Sequence, residues 1–360
     1  MITTLMFVGG LIALTVGADM LVRGASRIAS SLGISPLIVG LTVVAVGTSS
    51  PELAVSVGAA LVGQGDIAVG NVVGSNIFNV LFILGLSALI VPMAVAQQLV
   101  RFDVPLFIGC SLLLALIAMD GTIGRVDGAL LFACVVAYSS FLVWQARKER
   151  NVQVLAEYAG AYPSMAARHW LINLTLIVLG LLLLVLGAEW LVDAAVVFAR
   201  HFGISELVIG LTVVAAGTSL PEVAASVVAA VKGERDIAVG NVIGSCIYNI
   251  LLVLGVSALV APDGIAMAQS VQNFDLPVMI AVSVACLPIL FTGYRIDRWE
   301  GAVFLAYYFG YIAYVVLKAT EHDSLEPFSR IMAVFVLPIT ILTLGVVVMR
   351  AWLGSRQPPA

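Results

Sequence analysis

The sequence predicts an all-α polytopic membrane protein, built as two inverted five-helix repeats plus one extra C-terminal helix, about 11 transmembrane helices in all. Three observations lead there. Of the 360 residues, 61% are hydrophobic and only 11% charged, where a soluble domain carries about 25% charged residues. Residues 33–90 align without gaps on residues 203–260 at an offset of 170, with roughly two-thirds of positions identical, a repeat far above chance. Each half holds five apolar segments, an odd number, so the second copy enters the bilayer from the opposite side to the first.

Apolar runs of spanning length, roughly 17–25 residues, fall near 2–22, 37–62, 67–91, 104–119, 129–144, 171–198, 207–231, 237–260, 276–291, 302–317 and 331–349. The first run is expected to be a retained helix rather than a secretory leader. It has no basic start, and Arg23 and Arg27 follow it. Gly17-Ala18-Asp19 also recurs as Gly187-Ala188-Glu189, so it reads as a retained helix. Asp19 stands one turn before Arg23, placed to pair with it. Asp66 and Asp236 open the third and eighth helices, and Asp103-Val104-Pro105 and Asp275-Leu276-Pro277 open the fourth and ninth. An aspartate close before a proline fits a helix N-terminus, so capping is the expectation for these four acids. The chain divides into a first repeat over 1–144, a linker over 145–169, a second, inverted repeat over 170–318 and the additional helix over 331–350.

Lys and Arg gather in cytoplasmic loops. With the N-terminus outside, the cytoplasmic side receives 13 of the 17 basic residues and the outer side keeps Arg125, Arg200, Lys318 and Arg330. The expected location is therefore the inner (plasma) membrane, with the C-terminus and the linker in the cytoplasm. In so apolar a chain the net charge of −4 says little about partners. No basic tract suggests nucleic acid. Cys110, Cys134, Cys246 and Cys286 sit in apolar runs without metal-type spacing, and His169, His201 and His322 lie near helix ends. Neither a resident cofactor nor an enzyme is expected: there is no HExxH, no GxSxG and no Ser/His pairing.

The polar residues are concentrated in two strings. Ala45-Val46-Gly47-Thr48-Ser49-Ser50-Pro51-Glu52 interrupts the second apolar run, and Ala215-Ala216-Gly217-Thr218-Ser219-Leu220-Pro221-Glu222 interrupts the seventh. Proline lacks an N–H, and its ring clashes with the carbonyl four residues back, so both helices should break and release carbonyls near Ala45–Gly47 and their counterparts. Ala45, Thr48, Glu52 and Ser56 share one helical face, with Ser49 three residues before Glu52. A carboxylate at bilayer depth costs at least ~2.5–3.5 kcal/mol, so its default reading is functional. The next helix adds Ser75 and Asn79, repeated as Ser245 and Asn249, each pair one turn apart. In a membrane helix such residues also serve as interhelical glue. Asn76 becomes Cys246 in the repeat and reads as packing. An all-oxygen set of carbonyls, hydroxyls, amides and carboxylates suits a hard cation such as Ca²⁺.

The strings GTSSPE and GTSLPE, followed by GNVVGSNIFN and GNVIGSCIYN, resemble the paired signature repeats of the cation/calcium antiporter superfamily, and most of all its bacterial sodium/calcium exchanger branch. The resemblance covers the first ten helices, with motifs at 33–90 and 203–260. It implies a secondary active antiporter exchanging Na⁺ for Ca²⁺ by alternating access, with the first and sixth helices moving against the core. It implies cation ligands at Ala45, Thr48, Ser49, Glu52, Ser75 and Asn79, and at Ala215, Thr218, Ser219, Glu222, Ser245 and Asn249. Potassium-dependent members carry an Asp where this chain has Asn249, so K⁺-independence is expected. A Ca²⁺/H⁺ antiporter is the nearest alternative, since the same two carboxylates would serve it. A channel is disfavoured because the site is two-fold rather than a ring of carbonyls.

Overall fold

The computed structural model describes residues 2–148, 170–291 and 293–354. The linker expected at 145–169 and the tail beyond 354 therefore lie largely outside the described residues. Helix α1 (Ile2–Leu32) ends at Gly33, whose φ of +67° closes it as only glycine does cheaply. Pro36 then starts α2 (Pro36–Thr48), and α3 (Ser50–Leu61) follows after a 45° bend at Ser49. Next come α4 (Gly65–Ile90), α5 (Leu99–Ile117) and α6 (Arg125–Lys148). The second half repeats the order with α7 (Trp170–His201), α8 (206–217), α9 (Leu220–Val231), α10 (Arg235–Val260), α11 (Val271–Phe291) and α12 (Arg298–Ala319). A final helix, α13, covers 325–354. Among the described residues nine helices are long and apolar enough to cross a membrane, and the bent α2–α3 pair makes ten.

Two features show that the halves face opposite ways. Strand β1 (Met93–Ala94), after α4, pairs antiparallel with β4 (Arg295–Ile296), between α11 and α12. Strand β2 (Thr122–Ile123), between α5 and α6, pairs with β3 (Ile265–Ala266), after α10. Each bridge joins non-equivalent connections of the two halves, as inversion requires. Helices α1 and α7, the first of each half, run antiparallel along a glycine seam. Gly10, Gly17 and Gly24 recur every seven residues; the first two meet Gly187 and Gly180, and Gly24 meets Asn173 and Ile177. A Cβ at Gly17 would stand 2.7 Å from Gly180 O, and one at Gly10 would stand 2.8 Å from Gly187 O. Backbones this close leave room for no side chain, and the seven-residue period keeps the seam on the partner.

The most buried spans are α4 and α10, the helices carrying the Asn and Ser positions, while no described residue in the apolar window of α13 is buried. Both core helices widen into a π-helical turn, at Asn79–Leu84 and Asn249–Leu254, beginning on the two asparagines. Such turns cluster where a helix serves a site.

Capping is not what Asp103 and Asp275 do. Each sits in helical conformation at the end of a π-helical turn, Leu99–Asp103 and Val271–Asp275, so the helix runs through it and leaves no free N–H to cap. Asp103 Oδ1 accepts the Tyr138 hydroxyl at 3.0 Å, and Asp275 Oδ1 accepts that of Tyr311 at 2.8 Å. Asp66 and Asp236 stand in the first turns of α4 and α10, but the N-cap positions there belong to Gln64 and Glu234. Asp19 pairs with Arg23 at 2.8 Å as the sequence suggests, and also with Lys232 at the end of α9.

Candidate functional site

The helix breaks put Glu52 and Glu222 in the first turns of α3 and α9, where the partial positive charge of the helix terminus favours an anion. Both are fully buried, and among the described residues neither makes a salt bridge. What holds them comes from the opposite half. Ser219 Oγ donates to Glu52 Oε1 at 2.7 Å, and Ser49 Oγ donates to Glu222 Oε1 at 3.1 Å. Ser75 Oγ lies 3.1 Å from Ser219 Oγ. The threonines cross over in the same way: Thr48 Oγ1 donates to Asn241 Oδ1 at 3.1 Å, and Thr218 Oγ1 to Asn71 Oδ1 at 3.3 Å.

Asn71 and Asn241 are the residues that reading the sequence missed. Asn71 Nδ2 donates to Ser56 Oγ at 2.9 Å and to Glu52 O at 3.2 Å, and Asn241 Nδ2 donates to Ser226 Oγ at 2.9 Å. Each asparagine thus ties the helix after the break to a threonine of the other half. The signal was present in the spacing. Asn71, Ser75 and Asn79 stand at i, i+4 and i+8 on one face, and so do Asn241, Ser245 and Asn249. Asn76, expected to be packing, also spans the halves. Its Nδ2 donates to Cys246 O at 3.2 Å, and its Oδ1 accepts Asn249 Nδ2 at 3.2 Å.

These contacts leave a defined set of oxygens over. Glu52 Oε2, Glu222 Oε2, Asn79 Oδ1, Asn249 Oδ1 and Ser245 Oγ are buried and make no hydrogen bond. Buried polar atoms are rarely left so, because each orphan forfeits about 1–3 kcal/mol. Five of the ten such atoms among the described residues are oxygens on the predicted residues, two of them carboxylate oxygens, and oxygens of this kind suit a hard cation. In Asn249 the amide nitrogen is spent on Asn76, which turns the oxygen free.

The breaks release fewer carbonyls than the prolines suggest. Ala45 O still accepts Ser49 N–H at 3.0 Å, and Val46 O accepts Ser50 Oγ at 3.1 Å. In the second half Ser219 N–H turns instead to Ala216 O at 3.2 Å, so Ala215 O lacks the bond its counterpart makes.

Around this nearly two-fold centre the two halves differ. Gly40, Gly240 and Gly244 form a tight seam between α2 and α10. A Cβ at Gly40 would stand 2.9 Å from Ile237 O, one at Gly240 would stand 3.0 Å from Leu37 O, and one at Gly244 would stand 2.8 Å from the Ala45 Cβ. A Cβ at their counterparts Gly210, Gly70 and Gly74 would meet nothing within 4 Å among the described residues. Val44 is 0% exposed and its counterpart Val214 is 49% exposed. The start of α2 is thus packed tightly on α10, while the corresponding start of α8 packs loosely beside α4.

The chain matches the family described as "Sodium/calcium exchanger protein" over residues 2–146 and 172–317. It is 38% identical over 292 residues to the inner membrane protein YrbG of Escherichia coli (strain K12), across 80% of this chain and 89% of that one. It is 35% identical over 335 residues to the sodium/calcium exchanger MaX1 of Methanosarcina acetivorans, across 84% of this chain and 95% of the relative. Its fold matches that of the sodium-calcium exchanger NCX_Mj soaked with 2.5 mM Na⁺ and 0.1 mM Ca²⁺, with a TM-score of 0.73, 33% identity, and 87% and 98% of the two chains covered.

Proposed function

The chain belongs to the sodium/calcium exchanger family, a family of cation/Ca²⁺ antiporters, and from that premise we propose that it exchanges Na⁺ for Ca²⁺ by alternating access, electrogenically and without K⁺. The observation that carries this reading is the reciprocal grip on the acids. Glu52 and Glu222 are each held at Oε1 by a serine of the other half, with Oε2 left over in a buried, all-oxygen setting. Ca²⁺ needs both charges to offset its dehydration, and Na⁺ accepts the same oxygens at lower charge. Thr48, Ser49, Ser75, Asn79 and Ala45, with Thr218, Ser219, Ser245, Asn249 and Ala215, supply the remaining ligands.

The movement follows from the glycine seams. Helices α1 and α7, locked backbone to backbone, move as one body across two broken helices. In the state described here α2 seals one path against α10. With the N-terminus outside, that path is cytoplasmic and the site faces outward. In the opposite state α8 closes on α4 through Gly210, Gly70 and Gly74, and α2 lifts. The two halves, spanning 1–144 and 170–318, then exchange conformations as inverted repeats do.

Uptake of ⁴⁵Ca²⁺ into inverted vesicles under an imposed Na⁺ gradient, then under an imposed pH gradient, tests the coupling ion. Uptake driven by Na⁺ is expected. Uptake driven by pH alone would transfer the assignment to a Ca²⁺/H⁺ antiporter.

A further inference from the structure

Helices α4 and α10 face each other at one pair of equivalent positions that carry different residues, Asn76 and Cys246. We infer that Asn76 is a positioning residue for the ion site: it fixes which end of the Asn249 amide faces the cation, while Cys246 leaves Asn79 without such a lock. The site then holds one rigid and one adaptable asparagine. This rests on reading the orphaned oxygens as cation ligands, but not on which ion drives transport.

The sense of the lock follows atom by atom. Asn76 Nδ2 donates to Cys246 O at 3.2 Å and lies 3.6 Å from Met279 Sδ. A backbone carbonyl and a thioether can only accept, so this end of the Asn76 amide has to be the nitrogen. The other end, Oδ1, can only accept in turn, and it takes Asn249 Nδ2 at 3.2 Å. Asn249 Oδ1 is left buried and without a hydrogen bond among the described residues. A carbonyl that cannot reverse its dipole thus sets the sense of two amides in series. The outcome matters because a hard cation takes the amide oxygen as a ligand and is repelled by the amide N–H groups.

The mirror position breaks the series. Cys246 Sγ lies 3.9 Å from Asn76 O, where a second asparagine would place its nitrogen, but a thiol is a weak donor and has no second arm. Asn79, the counterpart of Asn249, faces the Cys246 sulfur, itself a weak acceptor. Both Nδ2 and Oδ1 of Asn79 are buried without a hydrogen bond among the described residues. Its amide is therefore held loosely and can turn to meet an ion. A locked amide needs no reorganisation when the cation arrives, so Asn249 contributes more to affinity than Asn79 does.

Calorimetric titration of the purified full chain with Ca²⁺ tests this whichever ion drives transport. Asn76→Cys, which copies the second half, should weaken binding about fivefold, the worth of one buried hydrogen bond. Combining Asn76→Cys with Cys246→Asn moves the lock to Asn79 with the same pair of side chains, and should restore the affinity. A purely packing role would not move the next readout. In the wild type Asn249→Ala should cost more affinity than Asn79→Ala, and in the exchanged chain that order should reverse. Unchanged affinity in Asn76→Cys would overturn the inference, as would an order that stays the same after the exchange. If Asn76→Cys alone does not fold, the order decides. A wild type that binds no Ca²⁺ would instead overturn the ion-site reading beneath it.

Discussion

Ser219 Oγ donates to Glu52 Oε1 at 2.7 Å across 167 residues of sequence. With its mirror bond from Ser49 to Glu222, it makes each half incomplete without the other. Folding the two halves together therefore builds the charge pair of the site, and among the described residues neither carboxylate is anchored by a cation that removal of the acid would strand.

The first prediction follows from that. Glu52→Gln and Glu222→Gln should each abolish Ca²⁺ transport while the protein still inserts and elutes as a single species. An amide keeps the oxygen that accepts the serine but removes one of the two charges offsetting Ca²⁺ dehydration. Flux in reconstituted vesicles checks this, and robust transport by either variant removes that acid from the site.

A second prediction concerns the asparagines found only in the structure. Asn241→Ala strands the buried Ser226 hydroxyl and leaves that of Thr48 only its long bond to Ala45 O at 3.4 Å. The expected loss of stability is about 1–3 kcal/mol, with Ca²⁺ binding weakened about fivefold as Thr48 loses its fixed orientation. Chemical unfolding and calorimetric titration measure the two. A variant with unchanged affinity would make Asn241 a purely structural tie.

The acids and their hydroxyls were legible in the sequence because a charged, helix-breaking string has no other reason to recur inside two apolar runs. The crossing of the grip was not legible: periodicity places Ser49 near Glu52 on one helix, whereas the bond goes to Glu222 on another. Asn76 packs between the halves, as the sequence suggests, but its partners were not legible: it bonds its own repeat counterpart Cys246 and also Asn249. Asp103 and Asp275 looked like caps because Asp-x-Pro suits a helix start, but a π-helical turn carries the helix through them. The asymmetry lay beyond sequence altogether. Gly40–Val44 and Gly210–Val214 are the same five letters, GLTVV, one packed and one standing off. A sequence that must support both states encodes neither alone.

That asymmetry gives a third prediction. A Cβ at Gly210 would meet nothing within 4 Å among the described residues, so Gly210→Leu should preserve the fold and binding from the open side. In the opposite state its side chain would strike α4 as one at Gly40 would strike Ile237 O now, and exchange should fall to background. Gly40→Leu should instead destabilise the present state by about 1–3 kcal/mol, the usual cost of overpacking. Exchange flux beside equilibrium Ca²⁺ binding separates the two effects, and full exchange by Gly210→Leu would show that α8 does not close on α4.

The last prediction concerns charge. The proposed ligand set holds two carboxylates, Glu52 and Glu222, and otherwise neutral oxygens. Two negative charges balance one Ca²⁺ or two Na⁺, so a third Na⁺ would sit among hydroxyls, amides and carbonyls. Exchange of three Na⁺ for one Ca²⁺ then moves one net positive charge per cycle, worth about 2.3 kcal/mol for each 100 mV of membrane potential. Asn79 and Asn249 bring no charge for a further cation, and Asn249 is turned by Asn76 to present a single amide oxygen. In proteoliposomes with a fixed Na⁺ gradient, Ca²⁺ uptake should respond to a valinomycin-clamped potential. Replacing K⁺ by choline at zero potential should leave it unchanged. Indifference to voltage would refute the stoichiometry, and a requirement for K⁺ would refute the reading of Asn249. Converting that residue alone, Asn249→Asp, should then shift the balance the other way, because an added carboxylate beside the Asn76 amide gives a further cation the charge it now lacks.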